Sequence, residues 1–303
     1  MRVLFVGDLV AGRPILSAIC ENGSLVGVAT EGERHRQIAM EIGVAIFSTQ
    51  EINSSATLLQ LGALKIDLIV NFNSTILFGV QLLKCPSIGA INFHPGLLPD
   101  YAGLNVHQWA ILNGETNTGV TIHIMTPSLD EGSILAQSSV PIDTAETGLL
   151  LFMKLLRDGA TLMVAVLREV GISGLEAAKP QGRSHQYFYR RKDRPNGRID
   201  FSRPVANVSR FIRALSYRPL DSPLGVPYLA APGGELEIGS ISTEELCMGL
   251  SFQAGQVIRL EAKRLDIVCQ GGVLIANAGY EAGEVVDVGT AAQRLGVQVG
   301  SLL

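Results

Sequence analysis

An asparagine, a histidine and an aspartate stand at spacings that could build one catalytic site. Asn92 and His94 are separated by one residue, so on a β-strand their side chains point to the same face. Asp130 follows in a turn-like stretch, with Gly132 two residues further on. The amide could donate to an oxyanion, the imidazole could take a proton, and the carboxylate could orient the imidazole and stabilise its charge. Such a set suits acyl transfer to a poorly nucleophilic or protonated acceptor.

The first half of the chain alternates short apolar runs with amphipathic segments. Strands are predicted at Val3–Val6, Leu25–Ala29, Val44–Phe47, Asp67–Val70 and Gly89–Phe93, and helices at Arg13–Cys20, Glu33–Ile42 and Leu58–Leu64. This alternation predicts an α/β fold with a doubly wound, mainly parallel sheet. Ligands of such sheets bind outside the carboxyl ends of the strands, which is where Asn92 and His94 are expected to lie.

The next part of the chain predicts two more strands and one long helix. The strands are expected at Val120–Met125 and Ile134–Val140, on either side of the turn that carries Asp130. Apolar residues at helical spacing predict a buried face on a helix over Ala145–Val170.

The C-terminal third differs from the rest of the chain in its composition and its predicted elements. Residues 177–200 are rich in Pro, Gly and charge, which is typical of a linker. Beyond a helix predicted at Val205–Leu215, short β-prone runs broken by Gly and Pro predict a small antiparallel barrel. We therefore expect a catalytic domain over residues 1–180, a linker over 181–203 and a barrel domain over 204–303.

Composition excludes several classes of protein. The chain has 303 residues, is 47% hydrophobic and 17% charged, and carries a net charge of −4, which argues against a nucleic-acid partner. No apolar run reaches the length of a membrane span, and Asp8 interrupts the first apolar run too early for a signal peptide, so a soluble cytoplasmic protein is expected. The four cysteines, at positions 20, 85, 247 and 269, have no zinc-like spacing; they are expected to be reduced thiols, with no metal.

The chain begins with a predicted strand, a glycine-containing turn and a predicted helix. This order suggests a nicotinamide cofactor site as the first alternative. The turn Gly7–Gly12 lacks the three glycines of the dinucleotide fingerprint, although Glu31 follows the second strand as that pattern would require. We expect Gly7 and Gly12 to allow close packing.

The stretch from Val70 through the helix after Asp130 resembles the folate-dependent formyltransferases. The resemblance is carried by Ile91–Gly103, Trp109–Thr116, Thr118–His123 and Leu129–Ile134. It implies 10-formyltetrahydrofolate as the formyl donor, a primary amine as the acceptor, and Asn92, His94 and Asp130 as the catalytic group.

The C-terminal half is similar to the two-domain members of that family, whose second domain is an open OB-like barrel. The similar segments are Asn196–Phe201, Ile212–Leu215 and Ala254–Ile258. This similarity separates the chain from single-domain glycinamide ribonucleotide formyltransferases.

Comparison with the members of that family indicates which acceptor to expect. The methionyl-tRNA formyltransferases carry a long basic loop after the second strand, whereas here Ala29–Arg34 leads almost directly into a helix. With the negative net charge, tRNA is the less favoured acceptor. The better match is a small-molecule amine, either an amino sugar linked to a nucleotide or an amino acid in a biosynthetic pathway, free or tethered to a carrier protein. A formyltetrahydrofolate hydrolase, a catalytically inactive folate-binding module and an oligomeric enzyme all remain open.

The resemblance also implies positions for donor and acceptor contacts. Donor contacts are expected from the segment before the Asn-x-His strand, from an apolar pair after it and from the turn before Asp130: Ile76, Leu77, Phe78, Leu97, Leu98, Ser128 and Leu129. Phe78 stands where the family often has proline. Acceptor contacts are expected from Tyr101, Asn105 and His107, whereas His123 is expected to be structural.

The basic run Arg190–Arg198 has two interpretations, a solvated linker or a clamp for an acceptor phosphate. Tyr187, Phe188 and Tyr189, which precede it, are expected to anchor the linker to the first domain.

Overall fold

The computed structural model describes residues 1–182, 187–245 and 252–303, so Cys247 and part of the predicted linker lie outside the described residues. The chain forms two compact units. Unit 1 comprises Met1–Val106, Thr118–Pro141 and Met153–Tyr189, and unit 2 comprises His107–Asn117, Ile142–Phe152 and Arg190–Leu303.

Unit 1 is built on a seven-stranded sheet. Its strands are β1 (Arg2–Gly7), β2 (Ser24–Ala29), β3 (Ala45–Phe47), β4 (Leu68–Phe72), β5 (Gly89–His94), β7 (Asn117–Ile124) and β8 (Ile134–Pro141), in the order β3-β2-β1-β4-β5-β7-β8. Strands β1 to β5 pair in parallel, and β7 runs antiparallel to β5. All five residues of β4 are buried, as expected where helices cover both faces of a parallel sheet. The mainly parallel α/β fold is thereby confirmed.

Helices connect these strands. They are α1 (Arg13–Asn22), α2 (Glu33–Ile42), α3 (Ser55–Ala63), α4 (Val80–Leu83), α5 (Val106–Asn113) and α6 (Gly148–Ser173). Helix α2 has the predicted bounds and ends at Gly43, whose φ of 76° lets its N–H reach the carbonyls of Ala39 and Met40. Helix α3 begins after Ser54, whose side chain accepts from the Thr57 N–H.

Unit 1 also contains a two-stranded sheet. Strand β6 (Tyr101–Gly103) pairs in parallel with β9 (Tyr187–Tyr189). The aromatic segment before the basic run is therefore tied to unit 1 by a strand.

The C-terminal part of unit 2, as far as its residues are described, contains two α-helices and two four-stranded antiparallel sheets. The helices are α7 (Val205–Leu215) and α8 (Val288–Arg294); the strands are β10 (Tyr228–Ala231), β11 (Gly234–Ile238), β12 (Ile241–Glu245), β13 (Val257–Glu261), β14 (Arg264–Cys269), β15 (Gly272–Ala276), β16 (Gly279–Glu281) and β17 (Glu284–Val286). The sheet orders are β10-β11-β16-β17 and β12-β15-β14-β13. The antiparallel strands are as predicted, but an OB-like barrel is not confirmed, since the described strands form two separate sheets.

Two segments from the first half of the chain belong to unit 2. Gln108 on α5 donates to the Ala214 carbonyl at the end of α7 over 2.8 Å, and the Leu149 N–H, in the first turn of α6, donates to the Ser216 carbonyl. Unit 2 is therefore not one contiguous stretch, and the change between units after Tyr189 falls inside the expected linker. No described helix is long and apolar enough to cross a membrane.

Candidate active site

Three polar side chains form a row across neighbouring strands of the sheet in unit 1. Asn92 on β5 is in register with Asn71 on β4 and with His123 on β7. Asn71 Nδ2 donates to Asn92 Oδ1 over 2.7 Å, and Asn92 Nδ2 lies 3.0 Å from His123 Nε2. Because Oδ1 of Asn92 is an acceptor for Asn71, its Nδ2 must face His123. The row therefore fixes which way the Asn92 amide points.

His123 is held in its neutral form. Its Nδ1 lies 2.9 Å from the Ile124 carbonyl, which only accepts, so Nδ1 carries the hydrogen and Nε2 accepts from Asn92. Burial, and next the neighbouring His94, lower the pKa of His123 to about 4, against the opposing effect of Asp130. The bond to His123 uses one of the two Nδ2 hydrogens of Asn92, which leaves the second to donate to a ligand oxygen.

His94 lies between a carbonyl and a carboxylate at the end of β5. Its buried ring places Nε2 2.6 Å from the Tyr101 carbonyl and Nδ1 3.7 Å from Oδ2 of Asp130. The carbonyl accepts, so Nε2 carries a hydrogen, and the Nδ1 lone pair is the position at which neutral His94 can take a proton. The imidazolium formed there would face Asp130 in a buried setting, where opposite charges attract more strongly than in water.

Backbone geometry positions Asp130. Its φ is +56°, and its Oδ2 accepts from the Gly103 N–H over 2.9 Å. Gln181 donates to the carbonyls of both Asp130 and Gly132, over 2.8 and 2.6 Å. A Cβ on Gly132 would lie 1.8 Å from the Ile124 carbonyl oxygen, so the turn closes on β7 only with glycine at this position.

Tyrosines surround the strand that supplies the His94 contact. The Tyr101 ring is buried, with centroids 5.2 Å from Tyr187 and 6.3 Å from Tyr189, and the last two rings are stacked at 5.8 Å. Tyr101, expected to touch the acceptor, contacts His94 through its carbonyl, and its ring packs against the two tyrosines of β9.

The residues expected to contact the donor differ in exposure. Leu77 is 68% exposed and Leu129 is 42% exposed, whereas the Phe78 side chain is buried in the core with Ile76 packed against the same cluster. Asn53 holds this segment, because its Nδ2 donates to the Leu77 carbonyl over 2.8 Å and its Oδ1 accepts from the Gly79 N–H.

The other expected donor contacts lie in or near the same sheet. Leu97 is half-buried, and the side chain of Leu98 is buried while its N–H donates to Thr121. The Ser128 carbonyl accepts from the Thr126 hydroxyl. Among the expected donor contacts, Leu77 and Leu129 are the large apolar side chains that are exposed.

The remaining two expected acceptor residues fall in different units. Asn105, with φ +56°, is half-buried in unit 1 just before α5. His107 belongs to unit 2, where its buried ring lies 3.0 Å from the Tyr217 hydroxyl and stacks on Phe152. The structure thus places His107 in the core of unit 2. Within the described ranges, no group of three or more His, Cys, Asp or Glu side chains is placed to hold a metal ion.

Comparison with known proteins identifies the family. The family model described as formyl transferase matches residues 22–167, which include Asn92, His94 and Asp130. The methionyl-tRNA formyltransferase of Listeria welshimeri is 30% identical over 231 residues, which cover 72% of this chain and 74% of that protein. The chain belongs to the folate-dependent formyltransferase family.

Solved structures share the fold of this formyltransferase. An N-formyltransferase from Helicobacter canadensis, in complex with folinic acid and dTDP-3-aminofucose, has a TM-score of 0.70 at 18% identity and covers 92% of this chain and 99% of its own. HypX from Aquifex aeolicus, in complex with tetrahydrofolic acid, has a TM-score of 0.64 at 18% identity, over 99% of this chain and 48% of HypX.

Sequence reasoning on this formyltransferase missed three residues of the site. Asn71 and His123 flank Asn92 only because of the pairing register of β4, β5 and β7, and Gln181 reaches Asp130 from 51 residues further along the chain. The nearest signal in the sequence for Asn71 and His123 is their position at or near the end of a predicted strand, whereas Gln181 lies in the predicted linker and has no such signal. His123, expected to be structural, bonds the candidate oxyanion donor directly.

Proposed function

We propose that this enzyme transfers a formyl group from 10-formyltetrahydrofolate to a primary amine of a small-molecule acceptor. The observation that carries the proposal is the fixed orientation of the Asn92 amide, which is set by its hydrogen-bond partners on β4 and β7. One Nδ2 hydrogen of Asn92 takes no part in these bonds and can donate to a ligand. His94 and Asp130 stand next to it with a proton-accepting nitrogen and a buried carboxylate.

Each residue has a defined task. The bound donor supplies an activated formyl group. Asn92 Nδ2 donates to the formyl oxygen as negative charge develops there, and losing such a donor typically costs about two to three powers of ten in rate. His94 Nδ1 takes the proton that the attacking amine loses, a contribution of roughly two to four powers of ten. The bond between the formyl carbon and N10 of the donor then breaks, His94 returns the proton to N10, and tetrahydrofolate leaves. Asp130 stabilises the resulting imidazolium, and the Tyr101 carbonyl holds the opposite edge of the ring.

The residues near the site fit a flat, partly apolar donor. Leu77 and Leu129 expose apolar side chains, which are available to contact an apolar part of the donor. Asn53 restrains the loop that carries Leu77, so this surface is ordered before a ligand binds. The main chain around Ile76 and Phe78 and the turn at Ser128 complete the proposed donor surface.

The acceptor we favour is an amino sugar linked to a nucleotide. Only residues 30–32 separate β2 from α2, so the connection has no room for a long basic loop that would grip tRNA. The net charge of −4 supports the same choice. The fold likeness to an N-formyltransferase in complex with dTDP-3-aminofucose extends over almost the whole chain. The other small-molecule acceptor that we consider is an amino acid in a biosynthetic pathway, either free or tethered to a carrier protein.

A second candidate is formylation of methionyl-tRNA. It is supported by the 30% identity to the Listeria enzyme. A formyltetrahydrofolate hydrolase would use the same three residues with water as the nucleophile, and it would release formate without any amine.

The decisive experiment is acceptor-dependent release of tetrahydrofolate from 10-formyltetrahydrofolate. Acceptors would be dTDP-linked 3-amino and 4-amino sugars, free amino acids, aminoacyl thioesters and methionyl-tRNA, with mass spectrometry to detect one added formyl group. Asn92→Ala serves as the matched inactive control, because the same binding surfaces remain.

We expect turnover with at least one amino sugar and none with methionyl-tRNA. Formylation of methionyl-tRNA alone would replace the proposal by the second candidate. Formate release at the same rate with and without amines would establish the hydrolase, and absence of donor binding would overturn the assignment of the site.

A further inference from the structure

Unit 2 contains a recess of about 510 Å³ with a mixed polar and apolar lining, which includes none of the candidate catalytic residues. Its walls come from α7, from the segment between β11 and β12, from the turn before α6 and from Tyr280 on β16. The volume falls in the range of about 300 to 1,000 Å³ that is typical of small-molecule sites. It is several times larger than a single inorganic anion needs.

Arg213 on α7 gives one wall of the recess a positive charge. Its Nη1 donates to the Glu146 carbonyl over 2.8 Å, whereas its buried Nε has no hydrogen-bond partner among the described residues. Burial, followed by the neighbouring Arg210, lowers the pKa of Arg213, and Glu146 opposes this. The Glu146 carboxylate does not line the recess, and its Oε2 accepts from the Asp143 N–H. An anion in the recess would therefore improve the electrostatic environment of Arg213.

A second part of the lining is ordered by an ion pair. Arg218 donates to both carboxylate oxygens of Glu237, over 3.0 and 2.6 Å, and its guanidinium lies 5.7 Å from the centre of the Tyr280 ring. This bidentate pair holds Arg218 in place, and the Glu237 carboxylate balances its charge. The lining contains two arginines and one carboxylate, so no second carboxylate of the lining balances the charge of Arg213. This part of the lining is a preformed aromatic and polar surface.

Hydroxyl groups supply another part of the lining. Thr147, Ser209 and Ser242 reach the recess from three different elements. Such groups both donate and accept hydrogen bonds, so they suit the hydroxyls of a sugar.

We propose that this recess is a second binding site, for a phosphate ester of a sugar. Arg213 pairs with the phosphate, because a planar guanidinium matches phosphate oxygens, and the hydroxyl-lined part of the recess takes the sugar. A sugar phosphate and a nucleotide both present this chemistry. The site does not depend on the proposed catalytic function, since none of Asn92, His94 and Asp130 lines it.

The test is titration calorimetry on the full chain, kept saturated with 5-formyltetrahydrofolate so that the donor surface is occupied. The probes are glucose 1-phosphate, UDP and inorganic pyrophosphate. Arg213→Met removes the charge and keeps an unbranched, apolar stem. Ser209→Trp, one helical turn before Arg213 on the same face, fills the recess. Arg210→Met is the matched control, because it removes one arginine from α7 outside the lining.

We expect glucose 1-phosphate or UDP to bind, and the one that binds to identify the source of the phosphate ester. Arg213→Met should weaken that binding about ten- to hundredfold, as the loss of a hydrogen bond to a charged group does, and Arg210→Met by no more than about threefold. Ser209→Trp should abolish it, and this variant decides the question if Arg213→Met does not fold.

Three results would overturn the proposal. One is no binding of either ester at millimolar concentration. Another is equal weakening by Arg210→Met and Arg213→Met, which would indicate a diffuse charge effect. The third is full binding to Ser209→Trp, which would place the ligand elsewhere on the chain.

Discussion

The side-chain nitrogen of Asn92 lies 3.0 Å from Nε2 of His123, so a residue on β7 orients the candidate oxyanion donor on β5. His123 can accept this bond only while its Nε2 is unprotonated. Burial of the ring keeps it so, and the Ile124 carbonyl holds the hydrogen at Nδ1. The amide of this candidate catalytic residue is thus positioned by hydrogen bonds to residues on the two neighbouring strands.

Replacing His123 by leucine should slow turnover without removing donor binding. The Asn92 amide would lose its acceptor and turn away from the formyl oxygen, and misplacement of about 1 Å can cost up to about a hundredfold in rate. We expect kcat to fall about ten- to hundredfold while the KM for the donor changes by only a few-fold. His123→Gln, whose carbonyl oxygen can accept the same bond, should recover part of the rate. An equal loss in both variants would show that His123 serves packing alone.

The same residue should make the fold sensitive to acid. The pKa of His123 is about 4 in the folded chain against 6.5 in an unfolded one. Between those pH values His123 is protonated in the unfolded chain but not in the folded chain. The free energy of unfolding therefore falls as the pH falls from about 7 to 4. At about 1.36 kcal/mol for each pKa unit, His123 accounts for a loss of roughly 3 kcal/mol.

Urea unfolding at several pH values measures this loss in the free energy of unfolding. His123→Gln cannot titrate, so its stability should depend on pH less steeply than that of the unchanged protein over the same interval. Parallel curves for the two proteins would contradict the lowered pKa.

Removal of the Asn92 or the His94 side chain should lower turnover and leave binding of the donor nearly unchanged. Asn92→Ala should lower kcat by about two to three powers of ten, and His94→Ala by about two to four. Binding of 5-formyltetrahydrofolate, measured by calorimetry, should remain within a few-fold for both. Near-normal rates in both variants would show that the site lies elsewhere.

Asp130 should behave differently from the other two, because it also has a structural contact. Its Oδ2 accepts from the Gly103 N–H, so Asp130→Ala leaves a half-buried donor unsatisfied at a cost of about 1 to 3 kcal/mol in stability. Asp130→Asn keeps an acceptor in place and should retain more of the stability while losing the charge that supports His94. Turnover should be low in both variants, and equal thermal stability of the two would contradict the role of the Gly103 contact.

Local patterns in the sequence predicted those parts of the fold that depend on local chemistry. Helix α2 ends where Gly43 permits a positive φ, and the Asn-x-His spacing places Asn92 and His94 on one strand. The partners of Asn92 could not be predicted, since they depend on the register of strands that are distant in the chain. The place of His107 in unit 2 follows from packing against Tyr217 and Phe152, which helical periodicity alone does not indicate.

Two glycine-to-alanine substitutions should have opposite effects. At Gly132 a Cβ would meet the Ile124 carbonyl oxygen at 1.8 Å, so the turn must open and Asp130 must move from His94. We expect kcat to fall at least about tenfold and the melting temperature to drop. Gly171 lies inside α6 with nothing within 4 Å of such a Cβ, so alanine there should stabilise the fold by about 0.5 to 1 kcal/mol and leave kcat unchanged. Thermal unfolding and steady-state assays on both variants check this, and normal activity in Gly132→Ala would show that the close approach to β7 does not hold Asp130 in place.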